Sequence, residues 1–71
     1  MLSAMLDTMT TAECRKAALN FERNAYWFCA GLAYDAAAAN HPGNRRSRMY
    51  QQDISKLLAR AASCYAQATS I

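Results

Sequence analysis

Apolar positions recur at helical spacing from residue 14 onward and follow two different faces. Steps of four and three residues join a first stripe, which consists of Cys14, Ala18, Phe21, Ala25, Phe28 and Leu32. A second stripe, rotated from the first, consists of Trp27, Ala30, Tyr34 and Ala37. One helix with both stripes would be apolar around most of its girth after residue 25, and would be buried from several sides. Alternatively, the chain bends near residues 23–25 and two shorter helices bury one stripe each; the lack of Pro or Gly there favours continuity.

Capping signals predict where the helices begin and end. Residues 10–13 read TTAE, a capping-box pattern that predicts a helix start near residue 11 or 12. At the other end, Asn40 can take a left-handed C-terminal position, and Pro42 excludes His41 from the helical region. Asn44 can cap a following helix, which the two arginines after it would begin. Residues 41–44 therefore predict a corner between two helices.

The C-terminal third shows one clear amphipathic pattern. Its apolar face consists of Tyr50, Ile54, Leu57, Ala61, Cys64 and Ala68, with Leu58 and Tyr65 beside it. Its polar face consists of Arg48, Gln52, Lys56, Arg60, Ser63 and Gln67. Because the corner is short, this helix is predicted to return antiparallel to the alanine-rich one.

The fold class that follows is all-α, a small helical hairpin or three-helix unit completed by self-association. We expect residues 11–71 to form the helical domain and residues 1–10 an N-terminal segment whose order is left open. A chain of 71 residues buries only about 60% of its unfolded surface, so a partner would add needed stability.

Composition narrows the class of function. The formal charge of +3 and the pI near 9.0 are modest for a dedicated nucleic-acid binder. Cys14, Cys29 and Cys64 lack metal-ligand or disulfide-framework spacing, so we expect buried thiols in a reducing cytoplasm. The first nine residues lack the features of a signal peptide, and no apolar run is long enough to cross a membrane.

Catalytic and metal-binding chemistry has no clear candidates. The single histidine, His41, is predicted to be an exposed turn residue beside Pro42. The acidic residues stand at 7, 13, 22, 35 and 53, and no two are spaced three or four apart. We therefore expect a protein that is not an enzyme and that needs no cofactor or metal.

Two groups of residues are candidates for binding. Arg45, Arg46 and Arg48 would place positive charge in the first turn of a helix, where the dipole opposes it. They form either a solvated face or a docking site for phosphate or an acidic partner. Among the aromatic residues, we expect Trp27, Phe28 and Tyr34 in the core. At least one of residues 26–28 must nevertheless face outward or into a second chain, because neighbouring helical positions point in different directions.

These residues also resemble a known pattern. The sequence contains Glu22-Arg23, Trp27, Ala30-Gly31, Tyr34, Ala37-Ala38, His41-Pro42 and Asn44-Arg45. In this order they resemble the core motif of the ANR proteins, the AraC negative regulators of Gram-negative bacteria, over about residues 12–50. Tyr34 and Ser47 stand where that family usually has tryptophan, and Ala30-Gly31 replaces an alanine pair.

The resemblance implies a non-enzymatic cytoplasmic regulator that binds an AraC-type transcription activator and blocks its action on virulence promoters, often as a self-associating protein. We expect a homodimer with Trp27, Phe28 or Tyr34 at or beside the interface, and Asn44 and the arginines that follow it supporting a docking face. Two alternatives stay open. One is a small basic DNA-binding or nucleoid-associated protein whose phosphate contacts come from Arg45, Arg46, Arg48, Lys56 and Arg60. The other is a TPR-like adaptor.

Overall fold

Three helices make up most of the part of the chain that the structure, a computed structural model, describes: residues 8–44 and 46–69. They are α1, Thr11–Arg23; α2, Trp27–Ala39; and α3, Arg48–Thr69. No strand occurs within these ranges. The central helix α2 packs against both α1 and α3. The predicted all-α class is confirmed, as a three-helix unit.

The predicted capping box begins α1. Thr10 is the N-cap: its hydroxyl accepts a hydrogen bond from the Glu13 amide at 3.2 Å. In return, the Glu13 carboxylate accepts one from the Thr10 amide at 3.1 Å. These bonds lower the pKa of Glu13. Two amides that the first turn would leave unpaired are thereby satisfied, which explains why the helix starts here.

Of the two alternatives left open for residues 23–25, the structure has the bend, although the lack of Pro or Gly favoured continuity: α1 ends at Arg23 and α2 begins at Trp27. Ala25 lies in the left-handed region with φ of 60°. Its amide donates to the Glu22 carbonyl at 3.0 Å, and the next amide, of Tyr26, donates to the Phe21 carbonyl at 2.9 Å. This is the Schellman pattern of helix termination, with alanine at the position where glycine is usual. Because this position has alanine rather than glycine, the bend could not be recognised from the sequence.

The bend folds α2 back along α1, and two side chains join their far ends. The Thr11 hydroxyl donates to the Ala37 carbonyl at 2.9 Å. The Asn40 side-chain amide donates to the Met9 carbonyl at 3.0 Å. Met9 is also half-buried against the core, so this residue of the N-terminal segment packs on the helices. Residues 1–7, most of the predicted segment, lie outside the described residues.

Small side chains on α2 allow its two neighbours to approach closely. The residues that α2 buries are Ala30, Gly31, Ala33, Tyr34, Ala37 and Ala38. A Cβ atom on Gly31 would lie 2.6 Å from Cε1 of Tyr65, closer than side chains tolerate. The missing side chain at position 31 therefore makes the space for the Tyr65 ring between α2 and α3.

The corner between α2 and α3 differs from the prediction in two respects. Asn40 has φ of −94°, so it is not left-handed. The last helix begins at Arg48 rather than at the first arginine. Asn44 does not cap it; its side-chain oxygen accepts a hydrogen bond from the Arg46 amide at 3.0 Å and closes a local turn. Ser47 stands at the cap instead, where its carbonyl accepts from the Gln51 amide at 3.1 Å.

The predicted faces of α3 are largely confirmed. Leu57, Ala61 and Cys64 are buried, and the predicted polar face is exposed at all six positions. Leu58, expected beside the apolar face, is instead 48% exposed. One row of apolar side chains is thus sufficient to hold α3 against α2.

Candidate partner-binding surfaces

The aromatic residues around the first bend divide between core and surface. Tyr34 is only 5% exposed and Trp27 is half-buried against the core, as expected. The expectation that Phe28 is a core residue is wrong, because Phe28 is 59% exposed and Tyr26 is 61% exposed. The prediction that at least one of residues 26–28 faces outward is confirmed. Two of the three, Tyr26 and Phe28, face outward.

Phe28 packs against a second aromatic side chain, that of Tyr65. Its ring lies 5.7 Å from the Tyr65 ring, centroid to centroid, in a tilted arrangement. The Tyr65 hydroxyl donates to the Asp35 carboxylate at 2.6 Å. Burial, together with this carboxylate, raises the pKa of Tyr65 to about 12. We call Phe28 and Tyr65 the aromatic surface; the hydrogen bond to Asp35 fixes one of its rings.

Glu22 is the polar centre of the domain and receives hydrogen bonds from both other helices. The Arg60 guanidinium donates twice, from Nε to Oε1 and from Nη2 to Oε2, each at 3.2 Å. The Tyr34 hydroxyl donates to Oε2 at 3.2 Å, and the Cys64 thiol donates to Oε1 at 3.4 Å. One carboxylate therefore joins α1, α2 and α3.

The electrostatics of this cluster favour the charged carboxylate. Burial alone would raise the pKa of Glu22, but the hydrogen bonds from Arg60, Cys64 and Tyr34 and the positive charge of Arg60 outweigh it, so the pKa is lowered. Burial, helped by the adjacent carboxylate, raises the pKa of the Cys64 thiol to about 11. This thiol is a structural donor rather than a nucleophile.

Sequence reasoning missed this role of Glu22, which it named only as part of the Glu22-Arg23 pair in the resemblance. A usable signal existed. Glu22 follows the buried Ala18 by four residues, so the two share a face of α1. What the pattern could not supply was the set of partners, which lie 12, 38 and 42 residues further along the chain.

The corner after α2 is held by His41, which is more enclosed than expected. Its side chain is 15% exposed, and its Nδ1 accepts a hydrogen bond from the Gly43 amide at 3.0 Å. Its Nε2 lies 3.3 Å from a carboxylate oxygen of Asp53. The ring meets Tyr50 edge-on, with centroids 4.8 Å apart. The expectation of an exposed turn residue is wrong, because His41 joins the corner to α3.

The predicted docking residues of this corner are exposed. Asn44, Arg46 and Arg48 all face solvent. Arg45 lies outside the described residues. These positions follow the C-terminal end of α2, whereas Trp27 and Phe28 begin it. A helix of 13 residues is about 20 Å long, so the corner and the aromatic surface are two separate surfaces.

A third surface lies between α1 and α3, where neither helix covers α2 completely. It is a groove of about 270 Å³ lined by Arg15, Leu19, Tyr34, Lys56, Leu57 and Arg60. A smaller depression of about 60 Å³ shares Arg15, Lys56 and Leu57 and extends to Thr11, His41 and Asp53. We call this the basic groove. Tyr34 and Leu57 are its most buried members, and Leu19, 49% exposed, stands on its α1 side.

The cysteines agree in part with the expectation of buried thiols. Cys14 and Cys64 are buried, Cys29 is half-buried, and none of the three forms a disulfide. Within residues 8–44 and 46–69, no group of three or more His, Cys, Asp or Glu side chains is arranged to hold a metal ion. In the same ranges no helix has both the length and the apolar character needed to cross a membrane.

Comparisons of the chain with protein-family models, with curated proteins and with solved structures find no match in any of the three. The resemblance to the ANR proteins therefore rests on the motif residues alone. Most of those residues, including Glu22, Gly31, Tyr34 and His41, make contacts inside the domain. Residues that contact another molecule must be sought among the exposed side chains.

Proposed function

We propose that this protein is a non-enzymatic negative regulator of transcription that acts in the cytoplasm by binding an AraC-type activator and blocking its action on virulence promoters. The observation that carries the proposal is the exposure of large apolar side chains on so small a domain: Tyr26 and Phe28 are each about 60% exposed. Apolar surface of this kind is typical of a site that binds protein. The motif residues shared with the ANR proteins supply the choice of partner.

Binding rather than catalysis is also supported by how the ionisable side chains are used. Glu22, Asp35 and Asp53 each have a partner on another helix or at the corner. Glu13 completes the capping box. These carboxylates stabilise the fold where they stand, and both ring nitrogens of His41 have partners as well.

We further propose that the aromatic surface is where the chain associates with a second copy. Leaving an aromatic side chain in water forgoes about 1.5–3 kcal/mol, which is large beside the stability of a small domain. Covering the exposed Phe28 ring in a symmetric dimer would recover part of this. The basic groove would stay open in such a dimer, because it lies between α1 and α3 rather than at the first bend.

The test is a competition on DNA. A purified AraC-type activator from the same host is bound to its promoter fragment at physiological salt, and this protein is added in increasing amounts. The expected result is loss of the activator–DNA complex and appearance of an activator–regulator complex. An activator that keeps its DNA at saturating regulator would overturn the proposal. Tight binding of the regulator alone to the fragment would instead support the DNA-binding alternative, since several phosphate contacts give a steep salt dependence.

A further inference from the structure

The basic groove contains positive charge that the domain does not neutralise. Arg60 is paired with Glu22. Arg15 and Lys56, which stand on opposite sides of the groove on α1 and α3, form no ion pair with an acidic residue of the described ranges. Each described acidic residue already has a partner, in the capping box, the Glu22 cluster, the Tyr65 contact or the His41 contact. Asp53, the partner of His41, lines the smaller depression of the groove.

The same groove offers apolar contacts between these charges. Tyr34 and Leu57 line it from within, and half of Leu19 is open to solvent beside them. On α1 the lining extends from Thr11 to Leu19. Those residues span about 12 Å, slightly more than two turns of a helix. A phosphate backbone would satisfy the charges but not the apolar lining, whereas a side chain such as leucine fits between them.

We infer that the basic groove is the docking site for an acidic amphipathic helix of the protein partner, with carboxylates against Arg15 and Lys56 and an apolar side chain against Leu19. This rests on the proposed function and specifies the chemistry of its partner. The docked helix would lie across α1 and α3 and complete a four-helix arrangement over Tyr34. Charge complementarity selects an acidic segment and repels a basic one.

The test uses the full chain and a synthetic probe. The probe is an alanine-based helical peptide of about 18 residues with Glu at i and i+4 and Leu at i+3 and i+7. Fluorescence anisotropy gives its affinity, and amide chemical shifts map its position on the protein. The expected result is binding with shifts at Leu19 and Leu57, and no binding of the same peptide with Lys in place of Glu.

Matched variants distinguish an effect of the charges in the groove from an effect of the net charge of the protein. The double variant Arg15→Glu/Lys56→Glu should weaken binding by about tenfold or more, since each reversal turns an attraction into a repulsion. The control Lys16→Glu/Arg23→Glu has the same net charge, and both positions are exposed on α1 without lining the groove. It should bind within about twofold of the parent. Leu19→Ser should weaken binding about fivefold, whereas Leu58→Ser, equally exposed, should not.

Several results would overturn the inference: no binding of the acidic peptide, equal losses in both double variants, shifts confined to the aromatic surface, or stronger binding of a DNA duplex than of the peptide. The activator separates this inference from the proposed function. If the activator binds the parent and the Arg15→Glu/Lys56→Glu variant equally, the groove is excluded and the function stands. If the peptide binds in the groove but the activator does not bind at all, the function is excluded and the groove stands.

Discussion

The guanidinium of Arg60 on α3 donates two hydrogen bonds of 3.2 Å to the carboxylate of Glu22 on α1. Paired bonds of this geometry are directional as well as charged. The guanidinium carbon also lies 6.0 Å from the centroid of the Tyr34 ring. The two outer helices are thereby linked across the central one, and one member of the ion pair, Arg60, lines the basic groove.

The first prediction concerns acid stability. The pKa of Glu22 is lower in the folded protein than in the unfolded chain, so the unfolded chain binds the proton more readily. The charged Glu22 therefore stabilises the fold fully above the unfolded pKa, and this stabilisation is lost as pH falls through the folded pKa. Replacing Glu22 by Gln should therefore make the free energy of unfolding depend less on pH between about pH 5 and pH 3. Urea titrations followed by circular dichroism would measure this.

Two further variants serve as controls for that experiment. Arg60→Gln should weaken the acid dependence, because it removes the largest favourable contact of the carboxylate. Lys56→Gln removes the same charge from the same helix without changing a contact of Glu22. It should leave the loss of unfolding free energy in acid unchanged. An acid dependence as steep in Glu22→Gln as in the parent would contradict the assignment.

The second prediction concerns Gly31. Its replacement by Ala should destabilise the domain by about 1–3 kcal/mol, because the new Cβ would lie 2.6 Å from Cε1 of Tyr65. In a Tyr65→Ala background the same change should stabilise the helix by up to about 1 kcal/mol through helix propensity. Thermal or urea unfolding of the four proteins in this cycle measures the coupling. Equal effects in both backgrounds would show that the contact between position 31 and Tyr65 does not cause the loss of stability.

The third prediction concerns the bend at Ala25. A left-handed alanine costs about 1–2 kcal/mol, and glycine avoids this cost but gains entropy in the unfolded chain. Ala25→Gly, with its φ of 60°, should therefore raise the unfolding free energy by roughly 0.5–1 kcal/mol. The matched control Ala62→Gly, at an exposed position inside α3, should lower it by about 1 kcal/mol. If both changes destabilise equally, α1 does not end in this conformation.

The fourth prediction concerns self-association. Phe28→Ser should shift the protein toward monomer in sedimentation velocity at tens of micromolar, because it removes exposed apolar area from the aromatic surface. Leu58→Ser, which removes a similarly exposed side chain from α3, is the control and should not. A parent protein that sediments as a compact monomer at these concentrations would refute the dimer. The half-buried Trp27 is a less selective probe, since its removal would also weaken the core.

Local signals accounted for much of the fold. The capping box, the proline corner and the periodicity of α3 each act within about one or two helical turns, so their consequences follow from neighbouring residues. The same holds for the burial of Tyr34 and for the exposure of part of the aromatic group. The location of Phe28 was not predictable in this way, because its exposure depends on how α3 lies against the start of α2.

What the sequence alone determined was the helical class, the start of α1, the end of α2 and the buried row of α3, since backbone hydrogen bonding and side-chain spacing are local properties. Only the tertiary structure decided the bend at Ala25, which lacks glycine, and the roles of Glu22 and His41. The side chains that hydrogen-bond to these two residues lie 12 to 42 residues away in the sequence. It also decided the basic groove, because Arg15 and Lys56 are brought together only when α1 and α3 pack on the same central helix.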